Sequence, residues 1–384
     1  MSTLAPVTRG SGTARQRLRS ETVGVDWILI AVGVSIALFG VLAVWAATKQ
    51  SDTYLTKQGG YVVLGLGAMA AASLVDPARL ARYPWVLLGG LCASVLVVRL
   101  VGTVVNGARR SINLGIFQLQ PSELGKVVVI VMLAAIAIER AAELGTWRYT
   151  LTLCGVAGVP AFAVFLQPDL GTSLVYFAIL ASILLVVCVP WSHLATLGSV
   201  VVSLAALLFV ILPAFGLRVL PAHQYARLLS FLSSSDDSSR YGYQVKQGVI
   251  AIGHGGATGT GLDNASQTFG FVPEQQTDFI FAALSEVFGF VGAAPLILAF
   301  GLLMWRGVRT ITQASTRLDL LIASGIVGMF AFQVLINIGM NMKIMPITGI
   351  PLPFVSYGGS QTLVNFTALG LLVGIGRRSA LVRR

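Results

Sequence analysis

Across 384 residues, apolar side chains account for 55% and charged ones for 11%, with a mean hydropathy of +0.83. Soluble domains carry roughly a quarter charged residues to meet water, so a chain of two or three soluble domains is excluded and the exterior must face lipid. The 26 basic and 15 acidic residues leave a formal charge of +11. They fall in short gaps between apolar runs instead of one patch, which argues against a nucleic-acid partner.

Residues 1–23 are polar, basic and rich in Ser, Thr and Gly, and read as a disordered cytoplasmic tail. A helix crossing roughly 30 Å of hydrocarbon needs about 20 mostly apolar residues. By that measure spans are expected near 24–47, 60–75, 84–105, 122–138, 149–167, 171–190, 194–216, 277–304, 319–340 and 359–376. The first run is long and nine more follow it, so no cleavable signal peptide is expected. The fold class predicted is therefore an all-α polytopic membrane protein of about ten transmembrane helices. Ten crossings put both termini on one side. Of the 26 Lys and Arg residues, 15 fall on that side and 9 on the other, which makes both ends cytoplasmic. Residues 377–384 form a second cytoplasmic tail. The one long hydrophilic segment, 217–276 between helices 7 and 8, then becomes a large extracytoplasmic loop, and a loop of that length is usually functional. No linker separates a second domain, so 24–376 reads as one membrane domain.

Cys92, Cys154 and Cys188 all lie in apolar runs, and His193, His223 and His254 are scattered, so no disulfide frame or zinc spacing is visible. Ionisable groups inside spans usually face a bundle interior or a cavity. Glu123 and Lys126 lie three apart on one helix face and can pair, whether for structure or for function. Asp169 in QPDLGT is placed to cap the following helix. Asp278 follows PEQQT and opens an apolar helix at the membrane boundary, where it is either a desolvated general base or a residue favoured by the helix dipole. Glu286 sits eight residues on, about 12 Å deeper. The run GHGGATGTG (253–261) lacks the GK[ST] ending of a phosphate loop and reads as a turn. Arg110, Arg227, Arg240, Lys246 and Lys343 are the outward cations available to hold a phosphate. MPITGIPLPFVSYGG, containing Ser356, reads as non-helical backbone lining an outward cavity.

Six motifs, in this order, carry a resemblance: NGARRSINLG (106–115), QPSELGK (120–126), QPDLGTS (167–173), GYQVKQGVIAIGHGG (242–256), PEQQTDFIFAALSE (273–286) and NIGM…PITGIPLPFVSYGGS (337–360). Together they resemble the SEDS family of shape, elongation, division and sporulation proteins, over about 24–376. NIGM followed by IMPITGIPLPF is closer to the RodA branch than to FtsW. The resemblance implies a SEDS-type ten-helix peptidoglycan glycosyltransferase of the cytoplasmic (inner) membrane, with an extracytoplasmic active site. It would polymerise lipid II for cell-wall elongation and rod shape, beside a class B penicillin-binding protein transpeptidase. The implied catalytic residue is Asp278; Arg110, Glu123, Lys126, Asp169, Arg227, Gln247, Lys343 and Ser356 are implied for substrate. No protein-held metal is expected as a fixed feature, and a divalent cation, Mg or Mn, is compatible with a pyrophosphate leaving group. Two departures stand out: Ser111 replaces an aromatic residue and Gln361 a commoner Ser.

Two rival readings are a lipid II flippase or transporter, which would place its acids near the midplane, and a scaffold without chemistry, which would tolerate loss of the Asp278 charge.

Overall fold

The computed structural model describes residues 24–105, 108–113, 115, 117–207, 211–215, 240–262, 264–265 and 275–383. The N-terminal tail and much of the long loop, including Arg227, lie outside the described residues. Among those described, ten helices overlap the ten expected spans, the second starting eight residues early and the seventh ending ten early. They are α1 (Trp27–Ala47), α2 (Asp52–Leu74), α3 (Pro84–Val101), α4 (Pro121–Glu139), α5 (Trp147–Phe165), α6 (Leu170–Val186) and α7 (Trp191–Ala206), followed after α8 (Arg240–Gly255) by α9 (Ile280–Gln313), α10 (Arg317–Asn341) and α11 (Gly359–Val382). Seven of them are long and apolar enough to cross a membrane. Of the other three, α2 opens with the polar stretch DTYLTKQGG, and α6 and α7 have 17 and 16 residues.

Local chemistry sets the helix starts. Asp26 caps α1 by accepting from Leu29 N at 3.0 Å, and Thr316 caps α10, its hydroxyl accepting from Asp319 N at 3.0 Å and donating to Asp319 Oδ2 at 2.9 Å. Pro84 and Pro121 stand in the first turns of α3 and α4, where a missing N–H costs nothing.

The departures from expectation have local causes. The third span ends at Val101, four residues early, because the β-branched run Thr103–Val105 forms strand β1 instead of a last helical turn. β2 (Ala108–Asn113) and β3 (Gln118–Leu119) complete a small antiparallel sheet of order β1-β2-β3. The long loop is not structureless, since α8 lies within it. α9 and α11 run to Gln313 and Val382, beyond the expected 304 and 376, so most of the expected C-terminal tail is helix.

α4 and α11 form the middle of the bundle: 78% of each apolar window is buried, against 22% for the lipid-facing α3. Packing in lipid relies on close approach of helices. Gly370 of α11 lies directly against the Met69 carbonyl of α2, where a Cβ could not fit. At the end where α1 begins and α11 finishes, Gly24 meets Ala380. There Arg306 pairs with Asp26 at 2.6 Å and Arg378 with Asp319 at 3.0 Å, clamping α9 to α1 and α11 to α10.

Candidate functional site

The expected site residues among those described lie at the opposite end. Asp278 lies in a turn, residues 275–279, that leads into α9. Three elements fix this turn through its backbone. From α10, the amides of Asn337 and Asn341 donate to the Asp278 carbonyl at 3.0 and 3.1 Å, and Asn341 Oδ1 accepts from Ala282 N at 3.1 Å. From the non-helical stretch before α11, Ser356 Oγ donates to the Thr277 carbonyl at 2.7 Å and Tyr357 N to the Gln276 carbonyl at 2.9 Å. From the end of α1, the Ala47 carbonyl accepts from Gln275 Nε2 at 2.6 Å. The carboxylate-bearing turn is thus held from three sides while Asp278 itself stays half-buried. Fixing a reacting group in advance is what catalysis asks of a scaffold.

A second network joins this turn to the first half of the chain. Asp169 caps α6 as expected, accepting from Thr172 N at 3.1 Å and Thr172 Oγ1 at 2.9 Å. It also accepts from Gln120 Nε2 at 2.9 Å. Gln120 N in turn donates to Ser360 Oγ at 2.9 Å, four residues past Ser356. Arg110, on β2 and half-buried, donates to the Pro168 carbonyl beside Asp169. Arg110, Asp169, Ser356 and Asp278 therefore belong to one hydrogen-bonded end of the bundle.

Burial sorts the remaining expectations. Glu123 and Lys126 pair at 2.7 Å and are 5% and 1% exposed, inside α4 and away from any open surface. Ser356 is 1% exposed, its hydroxyl already shared between Leu352 N and the Thr277 carbonyl. In this structure, Glu123, Lys126, Asp169 and Ser356 are each hydrogen-bonded within the framework. Gln247 is half-buried on α8, next to Gly248, which packs on Phe279 at the base of the Asp278 turn. Lys343 is exposed in a left-handed turn two residues after Asn341. Of the two departures, Gln361 donates to the Leu352 carbonyl at 3.1 Å, so it braces the same stretch. Ser111 is buried on β2 and provides no stacking face.

Sequence reasoning missed the Asn337/Asn341 pair, although two amides four apart in an apolar span were a visible signal. It also missed how the Gly-rich run is used. α9 breaks at Gly289 (φ 63°, ψ −162°). In an unbroken helix the carbonyls of Glu286 and Val287 would accept from the amides of residues 290 and 291. Here those carbonyls accept from Thr260 N at 2.9 Å and Gly261 N at 3.2 Å. The amides of Phe290 and Val291 donate to Gly256 O and Ala257 O, both at 3.0 Å. Each group freed by the break is taken up by the run 256–261, as backbone away from water requires. Beside it His254 Nδ1 lies 3.0 Å from the fully buried Glu286 carboxylate. The run is structural closure, not a phosphate loop.

The model for the family described as cell cycle protein (FtsW, RodA, SpoVE) matches residues 24–380. The chain belongs to this family. It is similar to stage V sporulation protein E of Bacillus subtilis, 34% identical, covering 92% of this chain and 96% of that one. It is likewise similar to the peptidoglycan glycosyltransferase RodA of Treponema pallidum, 31% identical over 92% and 98% of the two chains. Among solved structures it resembles a chain from a peptidoglycan synthase complex studied for structural coordination of polymerization and crosslinking, with TM-score 0.77, 29% identity and coverage of 92% and 98%. It also resembles the crystal structure of the Thermus thermophilus rod shape determining protein RodA, with TM-score 0.67, 26% identity and coverage of 92% and 97%. Relatives named for sporulation and for RodA match at 34% and 31%, so identity does not assign the chain to the RodA branch. Family and fold together make the chain a multi-pass membrane protein.

Proposed function

We propose that the protein is a peptidoglycan glycosyltransferase that joins lipid II disaccharides into glycan strands, with Asp278 as general base. The observation that carries this reading is the triply braced turn presenting Asp278 at the end of the bundle away from the termini, in a chain of this family. The basic excess beside the termini supports a cytoplasmic location for both ends and an outer-face site in the cytoplasmic membrane. There a lipid-linked substrate keeps its tail in the bilayer and its pyrophosphate at head-group level.

Asp278 takes the proton from the acceptor's C4 hydroxyl. The resulting oxygen attacks the anomeric carbon of the growing strand. The bond from that carbon to the pyrophosphate oxygen breaks, and the electron pair leaves with the polyprenyl pyrophosphate. Arg110 and Lys343 supply positive charge toward the leaving group, and Gln247, beside the Gly248–Phe279 contact, lies near the base of the Asp278 turn. Among the described residues no group of three or more His, Cys, Asp or Glu is arranged to hold a metal ion. The elongation role rests on the stretch 337–354, and pairing with a class B penicillin-binding protein is supported by the similarity to a synthase-complex chain.

The test is purified protein with labelled lipid II, with and without a partner transpeptidase. Glycan polymer supports the enzyme. Lipid II translocation without polymer would favour the flippase reading.

A further inference from the structure

Three tyrosines cluster beside the stretch that braces the Asp278 turn, and the proposed chemistry does not use their rings. Tyr357 follows Ser356 and donates its backbone N–H to Gln276, two residues before Asp278. Its ring meets Tyr54 edge-on at 5.0 Å between centroids and Tyr61 at 5.9 Å. Tyr54 and Tyr61 are seven residues apart on α2, hence on one helix face. Between them Gln58 is fully buried and holds the stretch before α11 from both sides, donating to the Ser356 carbonyl at 3.4 Å and accepting from Gly358 N at 3.3 Å. Lys57, next to Gln58, is exposed. All three tyrosines are half-buried, so each is anchored yet leaves ring surface uncovered.

We propose that Tyr54, Tyr61 and Tyr357 form a saccharide subsite that holds an amino-sugar ring of the glycan strand beside the bond being made. The proposal rests on the glycosyltransferase reading above. Its grounds are position and chemistry. Tyr357 is bonded through its backbone N–H to Gln276, two residues before Asp278 in the same turn, which ties the ring cluster to the segment that carries the reacting carboxylate. A pyranose is polar around its rim but presents C–H groups on its faces, and tyrosine offers the matching surface, an apolar ring with a hydroxyl at its edge. The exposed Lys57 ammonium beside the rings suits the carboxylates of a peptide-substituted sugar. Gln58 fixes the rings relative to the turn, so a sugar held there is also oriented toward Asp278.

The experiment uses the full-length protein and two readouts. One is the KM and kcat for labelled lipid II. The other, independent of turnover, is saturation transfer from tyrosine ring protons to a soluble, lipid-free tetrasaccharide of the strand, measured by NMR. Tyr61→Leu and Tyr54→Leu are expected to raise KM about three- to tenfold, the scale of one lost aromatic contact, with kcat little changed. They should also cut the saturation transfer, and the Phe variants should keep both. Leucine variants with lowered melting temperature but unchanged KM and unchanged transfer would overturn the proposal, leaving the rings as packing. Should the leucine variants fail to fold, the wild type decides through its own transfer signal, and absence of that signal refutes the subsite. If the wild type does not polymerise yet shows transfer lost in the Phe-to-Leu comparison, the glycosyltransferase reading fails while the saccharide subsite stands.

Discussion

Gly289→Ala tests the closure of the broken helix. At φ 63° and ψ −162° an L-residue sits in backbone space essentially reserved for glycine, at a cost of about 1–3 kcal/mol. The new Cβ would also fall inside van der Waals reach of Gly259 N, so the run 256–261 must move. Moving it gives up four backbone hydrogen bonds between that run and residues 286–291, each worth about 0.5–1.5 kcal/mol net. The sum is at least about 3 kcal/mol, a large share of the roughly 5–15 kcal/mol that holds a fold together. At about 2–4 °C per kcal/mol for chains of a few hundred residues, the detergent-purified protein should melt about 6–12 °C lower. Gly253→Ala is the control. It lies in α8 with no atom within 4 Å of its Cβ position, and should be neutral or stabilising by about 0.5–1 kcal/mol. A Gly289→Ala protein melting within about 2 °C of wild type would refute the closure.

Lys126→Met strands the buried Glu123 charge and should cost about 3–5 kcal/mol, while Glu123→Leu combined with Lys126→Met should recover most of it in thermal melts. Asn341→Ala removes one of the two donors to the Asp278 carbonyl and the acceptor for Ala282 N. Displacing the reacting carboxylate by about 1 Å should then lower kcat on the order of 100-fold, read in the lipid II assay with folding confirmed. Asn365 is fully buried on α11 with neither amide atom hydrogen-bonded, so Asn365→Leu should raise stability by about 1–3 kcal/mol. A lower melting temperature would mean that the amide has a partner in the working protein.

Seven of the expected spans were legible because hydropathy reports what lipid requires of a helix, and Asp169 was legible as a cap because its role is local. Asp278 stood out by position, a carboxylate where an apolar helix begins. Burial was not legible. QPSELGK showed that Glu123 and Lys126 could pair and SYGGSQ that the backbone was irregular, but not that Lys126 and Ser356 are buried, because whether a polar side chain faces a cavity or a neighbour depends on helices far away in sequence. The same holds for the Gly-rich run. Its glycines pointed to unusual backbone, but nothing near them in sequence showed that their partner was the break at Gly289. The β hairpin after α3 was lost because Thr103–Val105 is as apolar as the span it follows.

The central claim is that Asp278 deprotonates the acceptor. The most direct measurement compares wild type with Asp278→Asn in polymerisation of labelled lipid II, with the partner transpeptidase present and both proteins shown to be equally folded. The asparagine keeps the shape and the backbone bonds to Asn337 and Asn341 but cannot accept the proton. Polymer from wild type and none from the variant is the predicted result. Equal polymer from both would contradict it and remove Asp278 from the chemistry.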